Sequence, residues 1–216
     1  MDEKNANVIK FNKNLYTRNL VNNQSVYGEE LKKINNVEYR FWDPYRSKLA
    51  SLLLTGYELP FKDNSTILYL GAGSGTTVSH ISDIVKNGEI YAIELSSTPF
   101  LKLYRMCNNR LNIYPLLADA SMPERYVKFI PEVDFLYQDI SQMDQVDILI
   151  KNAILFLKKR GIAIFMAKLK SISSVESNES IIERVEEHLN NRFHIKYKVD
   201  LSPYEKDHIA YALELK

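Results

Sequence analysis

The sequence predicts an α/β fold in which a small antiparallel β domain precedes a seven-stranded, mostly parallel sheet with helices on both faces. From about residue 46 onward, strand-like and helix-like segments alternate, and repeated βα units imply a parallel sheet. The chain closes with two strand-like segments that have no helix between them, as in an antiparallel hairpin. Residues 1–45 are instead rich in asparagine and contain short alternating stretches, which is typical of a small antiparallel sheet.

The N-terminal 45 residues contain three stretches with strand-like alternation, which begin at Val8, Leu15 and Val37. The asparagines and glycine between them are turn formers. The segment is too short to bury a core of its own. We therefore divide the chain into a small β domain, residues 1–45, and a larger domain, residues 46–216, on which the small domain packs.

The elements of the larger domain follow from apolar runs, which mark buried parallel strands, and from helical spacing of apolar residues. The predicted helices cover residues 46–54, 76–85, 98–109, 142–157 and 177–190. The predicted strands cover residues 66–70, 89–94, 113–117, 133–137, 162–167, 193–199 and 208–215. Pro115 cannot donate to a strand ladder, which places the third strand toward a sheet edge. The closing hairpin is characteristic of the class I (Rossmann-like) methyltransferase sheet rather than of the dinucleotide-binding sheet.

Composition excludes several classes of protein. Of the 216 residues, 45% are hydrophobic and 25% are charged, which is ordinary for a globular chain. The longest apolar runs are far too short to span a bilayer, so we expect no membrane partner. The single cysteine, Cys107, excludes an intrachain disulfide framework and a multi-cysteine zinc site. We therefore expect no bound metal and a reducing, cytoplasmic location.

The net charge is only +1, which argues against a protein that binds nucleic acid through its overall charge. A local basic face stays open, because no acidic residue falls between Asp147 and Glu176. The basic residues in this interval are Lys151, Lys158, Lys159, Arg160, Lys168 and Lys170. A solvated helix end followed by a strand explains the run about equally well.

A glycine-rich turn, Leu70-Gly71-Ala-Gly73-Ser-Gly75-Thr76-Thr77, lies between the first strand and the next helix of the larger domain. Glycine permits a sharp turn and lets a cofactor approach bare backbone. Gly75 falls four positions after Gly71, whereas the dinucleotide fingerprint requires five. The Gly-Lys-Ser/Thr ending of a P-loop is absent. The turn alone indicates a cofactor loop only weakly.

Two carboxylates at strand ends strengthen this interpretation. Glu94 ends the second strand, where an acid can accept hydrogen bonds from both ribose hydroxyls. Asp119 follows the third strand, where an acid can meet an adenine amino group. For either residue alone, capping of the next helix would be the better explanation. Together with the glycine loop, the two acids favour a nucleoside cofactor.

Four longer motifs follow one another along the chain and extend the pattern. They are Val37-Glu-Tyr-Arg-Phe-Trp-Asp-Pro-Tyr-Arg-Ser-Lys-Leu-Ala50, Leu68-Tyr-Leu-Gly-Ala-Gly-Ser-Gly-Thr-Thr-Val-Ser-His80, Tyr137-Gln-Asp-Ile-Ser-Gln142 and Pro203-Tyr-Glu-Lys-Asp-His208. In this order they resemble the fibrillarin family in its short archaeal form, over most of the chain. Gly73 departs from the alanine usual in the family, and Ile140-Ser141 is a mild change in the third motif.

The resemblance implies an S-adenosylmethionine-dependent methyltransferase that modifies ribose 2′-hydroxyls in pre-rRNA, with tRNA as a further substrate. It implies that box C/D guide RNAs select the sites on the substrate RNA. It also implies two protein partners, a Nop-type scaffold protein and a kink-turn-binding, ribosomal-protein-like subunit. Two alternatives stay open: an interaction subunit of this fold with little activity of its own, and a protein-glutamine methyltransferase. The glycine spacing and the closing hairpin oppose a nicotinamide-dependent dehydrogenase.

The resemblance also implies site residues. The catalytic set is Lys48, Asp139, Lys168 and His208. Lys168 would bind or deprotonate the 2′-oxygen, Asp139 would orient the Lys168 ammonium, and His208 would help to fix the target nucleotide. The cofactor-binding residues are Gly71, Gly73, Thr76, Thr77, Glu94, Leu95, Asp119, Ala120, Asp139 and Gln142.

Overall fold

The structure, a computed structural model, describes residues 7–216 and begins with a four-stranded antiparallel sheet. The first six residues of the predicted small domain lie outside the described residues. In spatial order the strands are β1 (Val8–Phe11), β2 (Asn14–Arg18), β4 (Val37–Phe41) and β3 (Leu31–Ile34). The alternation of the sequence predicts β1, β2 and β4 but not β3, in which Lys32 and Lys33 break the apolar pattern.

The second sheet has seven strands, and all of them were predicted. In spatial order they are β10 (Phe193–Asp200), β11 (His208–Leu215), β9 (Leu157–Lys168), β8 (Val133–Gln138), β5 (Thr66–Leu70), β6 (Glu89–Glu94) and β7 (Ile113–Leu117). Only β11 runs against the others. Strand β7 lies at one edge, which confirms the expectation from Pro115.

Helices cover both faces of this sheet, as the alternating pattern predicts. They are α1 (Lys48–Leu54), α2 (Thr76–Ile84), α3 (Ser97–Cys107), α4 (Gln145–Phe156), α5 (Leu169–Ile172) and α6 (Asn178–Asn190). Apolar residues of α4 and α6 fill one buried cluster, and those of α1, α2 and α3 fill the other. The short helix α5 was not predicted. Within residues 7–216, no helix is both long and apolar enough to cross a membrane.

Strand β9 differs most from the prediction, because it begins at Leu157 and not at residue 162. Leu157 pairs with Val133 of β8, and the register then shifts before the regular ladder starts at Ile162. Arg160, inside this irregular stretch, has a φ of +61°. A bulge rich in basic residues carries no apolar pattern, so the sequence places the strand start too late and the helix end one residue too far.

The basic run is divided between the two ends of β9. Lys158 and Lys168 are about 30 Å apart, since a strand rises ~3.3 Å per residue. Lys158 pairs with Asp134, and Arg160 lies 3.7 Å from Glu214. The run is therefore not gathered at one place, which favours the alternative that the sequence left open, a solvated helix end followed by a strand.

A buried polar network joins the small sheet to α2. Arg40 of β4 is fully buried and donates to Asp83 of α2 (2.8 Å) and to Glu29 (2.6 Å). Thr17 of β2 donates to Asp83 (2.7 Å) and contacts a ring nitrogen of His80 (2.7 Å). Burial lowers the pKa of His80 well below its usual value, so the ring is neutral. These contacts confirm that the small sheet packs on the larger domain.

Candidate functional site

A cleft of about 330 Å³ opens beyond the carboxyl ends of β5, β6, β7 and β8. Ligands bind at this edge of open α/β sheets. The predicted cofactor residues that line it are Gly71, Gly73, Glu94, Leu95, Asp119, Ala120, Asp139 and Gln142. Its other lining residues, which were not predicted, are Ile93, Ser96, Ala118, Ile140 and Ser141. A larger cavity of about 810 Å³ beside β1 and the loop after α1 contains none of the predicted site residues.

The glycine-rich loop after β5 brings two strand ends into contact. Gly71 has a φ of +83°, and a Cβ there would lie 2.3 Å from the backbone oxygen of Asp139. The Asp139 N–H donates to the Leu70 carbonyl (3.0 Å). Gly73, with a φ of +57°, lines the cleft and has open space where a side chain would be. The loop therefore presents bare backbone to the cleft.

Glu94, at the end of β6, is almost fully buried, and backbone groups engage both of its oxygens. Oε2 accepts from the Gly73 N–H and Oε1 from the Ser96 N–H, each at 2.7 Å. Ser96 precedes α3 as its N-cap, so the carboxylate also supports the start of that helix. Each carboxylate oxygen has a second acceptor site, which suits it to receive ribose hydroxyls as well.

Two further side chains at the cleft have acceptor capacity that the described residues do not use. Asp119 accepts the Ser121 N–H through Oδ1 (2.9 Å), while nothing in residues 7–216 donates to its Oδ2. Gln142 Oε1 is buried, and no donor in that part of the chain meets it. A buried acceptor without a partner costs roughly 1–3 kcal/mol. A ligand with hydrogen-bond donors could supply partners for both of these oxygens.

The predicted catalytic residues converge next to the cleft. Lys48, the first residue of α1, contacts both oxygens of Asp139, at 3.0 and 3.1 Å. His208 lies directly opposite Lys168 in the β9–β11 ladder. The charges of Lys48 and Asp139 both influence the pKa of His208, which reflects their proximity. Asp139 belongs to the cleft and to this constellation at the same time.

One predicted contact differs in the structure. Asp139 was expected to orient the Lys168 ammonium, but its ion-pair partner is Lys48. No carboxylate within residues 7–216 lies at ion-pairing distance from the Lys168 ammonium. A carboxylate therefore balances the charge of Lys48, whereas no carboxylate among the described residues balances that of Lys168.

Thr77 and Thr76, both predicted to bind cofactor, do not line the cleft. The Thr77 hydroxyl donates to Ser47 Oγ (3.0 Å), which also accepts from Trp42 Nε1 (2.9 Å). Ser47 is the N-cap of α1 and immediately precedes Lys48. Thr77 therefore supports the start of α1, and a contact of either threonine with cofactor stays a prediction.

Gln145, which sequence analysis did not identify, holds the backbone of Lys168 on both sides. The Lys168 N–H donates to Gln145 Oε1 (2.9 Å), and Gln145 Nε2 donates to the Lys168 carbonyl (3.2 Å). Nε2 also donates to the Gln142 carbonyl (2.9 Å). Gln145 is fully buried at the start of α4. The clamp fixes where Lys168 leaves the sheet.

Asn152 makes a similar clamp two turns further along α4. Its Nδ2 donates to the carbonyl of Ala120 (2.9 Å), which lines the cleft, and its Oδ1 accepts from the Tyr126 hydroxyl (2.5 Å). Seven residues separate it from Gln145, so both amides lie on one face. That face is otherwise apolar and includes Ile148 and Leu149. A buried amide in an apolar helical stripe is the sequence signal that reveals such residues.

His208 is buried, and its Nδ1 lies 2.7 Å from the Lys206 carbonyl. Burial lowers its pKa, and the Lys48 charge adds to this effect, although the hydrogen bond to the Lys206 backbone carbonyl and the charges of Glu205 and Asp139 oppose it. The neutral ring donates from Nδ1 to the carbonyl, which leaves Nε2 as an acceptor. His208 is therefore suited to receive a hydroxyl or amino proton from a bound group.

Comparisons with known proteins agree with this geometry. A family model described as fibrillarin matches residues 3–216. A Methanosarcina barkeri protein named fibrillarin-like rRNA/tRNA 2′-O-methyltransferase is 41% identical over 213 residues, which cover 97% of this chain and 94% of the relative. A Thermoplasma volcanium protein of the same name is 44% identical over 211 residues, which cover 97% and 93%.

Three solved structures are similar in sequence and in fold. A Methanococcus jannaschii fibrillarin, titled a pre-rRNA processing protein, has a TM-score of 0.90 at 40% identity and covers 94% of this chain and 89% of its own. A fibrillarin/Nop5p complex gives 0.91 at 42%, with 97% and 98% covered. An Aeropyrum pernix fibrillarin with natively bound S-adenosyl-L-methionine gives 0.87 at 38%, with 95% and 92% covered.

Proposed function

The chain belongs to the fibrillarin family, and on this premise we propose that it is an S-adenosylmethionine-dependent methyltransferase acting on the 2′-hydroxyl of ribose in RNA. The observation that carries the proposal is the double position of Asp139. It lines the cleft and pairs with Lys48 beside Lys168 and His208. The cleft for a methyl donor thus adjoins the residues that would handle a hydroxyl.

The residues of the cleft fit S-adenosylmethionine. Glu94 has acceptor sites for the ribose hydroxyls, and Asp119 Oδ2 suits the adenine amino group. Gln142 Oε1, which is buried without a partner, would accept from a donor of the same ligand. When bound, S-adenosylmethionine supplies a methyl group that its sulfonium already activates.

The chain's own residues position the hydroxyl and manage its proton. Lys168, whose backbone Gln145 holds, binds the 2′-oxygen, and with its amine in the neutral form it would accept the hydroxyl proton as the oxygen takes the methyl group. Asp139 balances the charge of Lys48, so that the second cation does not stand unpaired beside the reaction. His208 offers Nε2 to the target nucleotide. Most of the rate comes from this positioning, because the methyl group is already activated.

Glu94→Ala tests the cofactor site. We expect the affinity for S-adenosylmethionine to fall by roughly 1.5–3 kcal/mol, the range for hydrogen bonds to a charged group, or about 10- to 150-fold in Kd. Titration calorimetry measures the change, and circular dichroism checks that the variant is folded.

Glu89→Ala is the matched control, because Glu89 lies at the opposite end of the same strand. Its carboxylate contacts the hydroxyls of Tyr91 and Tyr114 and is remote from the cleft. This variant should bind cofactor as the unaltered chain does. Unchanged affinity in folded Glu94→Ala would remove Glu94 from the site.

We further propose that the enzyme works inside a ribonucleoprotein, with box C/D guide RNA, a Nop-type scaffold and a kink-turn-binding subunit. The support is a net charge of +1 and basic residues divided between the two ends of β9. Such a chain neutralises few phosphates, so counterion release contributes little affinity for RNA. The related fibrillarin/Nop5p complex adds support for the scaffold. Substrates would be pre-rRNA and tRNA, in the cytoplasm that a single cysteine suggests.

The isolated chain should bind cofactor but barely methylate RNA, whereas guide RNA and the two proteins together should restore site-specific methylation. The measurement is transfer of labelled methyl groups to a target RNA with and without the partners. A target with a 2′-deoxy nucleotide at the selected site is the control and should stay unlabelled. Efficient, site-specific transfer by the chain alone would refute the requirement for partners. Transfer to protein glutamine, or none with all partners present, would favour the two alternative functions.

A further inference from the structure

Two tyrosines, each close in sequence to a predicted catalytic residue, form an aromatic pair. The ring centroids of Tyr45 and Tyr204 are 5.3 Å apart, with an interplanar angle of 62°. Tyr45 is 67% exposed, so most of its ring surface faces solvent. Tyr45 precedes Lys48 by three residues and Tyr204 precedes His208 by four. The pair therefore joins the two loops from which these catalytic residues emerge.

The backbone on both sides of the pair is firmly anchored. The Tyr45 N–H donates to Asp43 Oδ1 (2.9 Å), and the buried Ser51 hydroxyl donates to the carbonyl of Pro44 (2.6 Å). The Tyr204 N–H donates to the carbonyl of the buried Leu201 (3.0 Å). Little conformational entropy would be lost when a ligand binds to such a pre-formed surface.

Each tyrosine of the pair has an exposed basic residue close to it in sequence. Arg46 follows Tyr45 and is exposed; its guanidinium carbon lies 4.7 Å from the centroid of the Tyr27 ring, and its Nη1 donates to the Tyr27 carbonyl (3.3 Å). Lys206 follows Tyr204 by two residues and is also exposed. The nearby Glu205 carboxylate lies 3.9 Å from His208 Nδ1 and is three-quarters buried. An exposed aromatic surface with exposed basic residues close to it in sequence fits a base and its phosphates.

We propose that Tyr45 and Tyr204 form a seat for one nucleotide base of the substrate RNA, next to the ribose that is methylated. The inference rests on the proposed function. Aromatic side chains stack on splayed bases and tolerate any base, because every base has a π-face. Arg46 and Lys206 contact the flanking phosphates. The seat holds the strand in register with Lys168 without reading its sequence.

The test is the kinetics of the reconstituted enzyme with Tyr45→Ala, measured against RNA concentration. The KM for RNA should rise about 5- to 150-fold, as expected for the loss of one base–aromatic stack. The kcat at saturating RNA and the affinity for S-adenosylmethionine should stay unchanged. Tyr45→Phe keeps the ring and should restore the KM, whereas Tyr45→Leu keeps apolar area without a π-face and should behave like alanine.

Tyr104→Ala is the matched control, because Tyr104 is 56% exposed and also has an aromatic neighbour, Phe100, but belongs to α3. It should leave the KM for RNA unchanged. An unchanged KM in Tyr45→Ala would overturn the seat while the unaltered enzyme still methylates RNA, which separates this failure from failure of the proposed function. A weaker affinity for the scaffold protein, with the KM for RNA intact, would assign the pair to a protein partner and also overturn the proposal.

Discussion

Lys168→Ala should lower the rate of methyl transfer by at least about a hundredfold, the lower end for a general acid–base role, while the affinity for S-adenosylmethionine stays nearly unchanged. Lys168 is not among the residues that line the cleft, so we expect cofactor binding to be nearly independent of its side chain. Asp139 keeps its partner Lys48 in the variant, so the electrostatics of the cleft are preserved. Single-turnover rates at saturating cofactor, with calorimetry beside them, measure the two quantities.

Lys170→Ala is the control for loss of a cation near this site. Lys170 is exposed, and its ammonium donates to the carbonyl of Glu176 (3.2 Å) and to none of the predicted catalytic residues. Its loss should change the rate little. Near-normal turnover in Lys168→Ala would eliminate the proposed proton route. An equal loss of rate in both variants would show that the rate depends on positive charge near the site and not on Lys168 itself.

Gln145→Met and Asn152→Leu should impair different steps, the first methyl transfer and the second cofactor binding. Both variants replace a buried amide of α4 with an apolar side chain of similar size. Gln145 clamps Lys168, so its loss should lower the rate at saturating cofactor by about 10- to 100-fold, because misplacement by 1 Å can cost about a hundredfold. Asn152 clamps the Ala120 carbonyl at the cleft, so its loss should mainly weaken S-adenosylmethionine binding.

The two α4 variants control for each other, because each leaves buried backbone groups without partners and each should lower stability by about 1–3 kcal/mol. Urea unfolding measures that shared loss, while rates and cofactor affinities are measured separately. If both variants lose rate and affinity in the same proportion, the amides hold the helix and do not position distinct parts of the site.

The sequence predicts the site best where a residue's chemistry and its place at a strand end coincide. Glu94, Asp119 and the glycine loop follow directly from the ends of predicted strands, and the cleft brings them together. The partner of Asp139 did not follow, because Lys48 is 91 residues away and only the tertiary fold decides which lysine reaches it.

The fold shows the same contrast: features set by a single residue are predicted, whereas features set by contacts between distant segments are not. Pro115 predicts an edge strand because the missing N–H is a property of one residue. The start of β9 depends on pairing between Leu157 and Val133 of another strand, which no local pattern records. Gln145 and Asn152 were missed for a similar reason, since an amide in an apolar stripe does not reveal which carbonyl it will meet.

The network between Arg40, Asp83 and Thr17 also bears on how the chain can be divided. The change in composition near residue 45 coincides with the change from the small sheet to the large one. The buried polar network nevertheless includes residues from both domains. Separating the sheets would break the Arg40–Asp83 ion pair and the Thr17–Asp83 hydrogen bond, leaving Asp83 paired with Arg110 and Arg40 paired with Glu29. We therefore expect the small sheet to unfold together with the larger one, as a single cooperative unit.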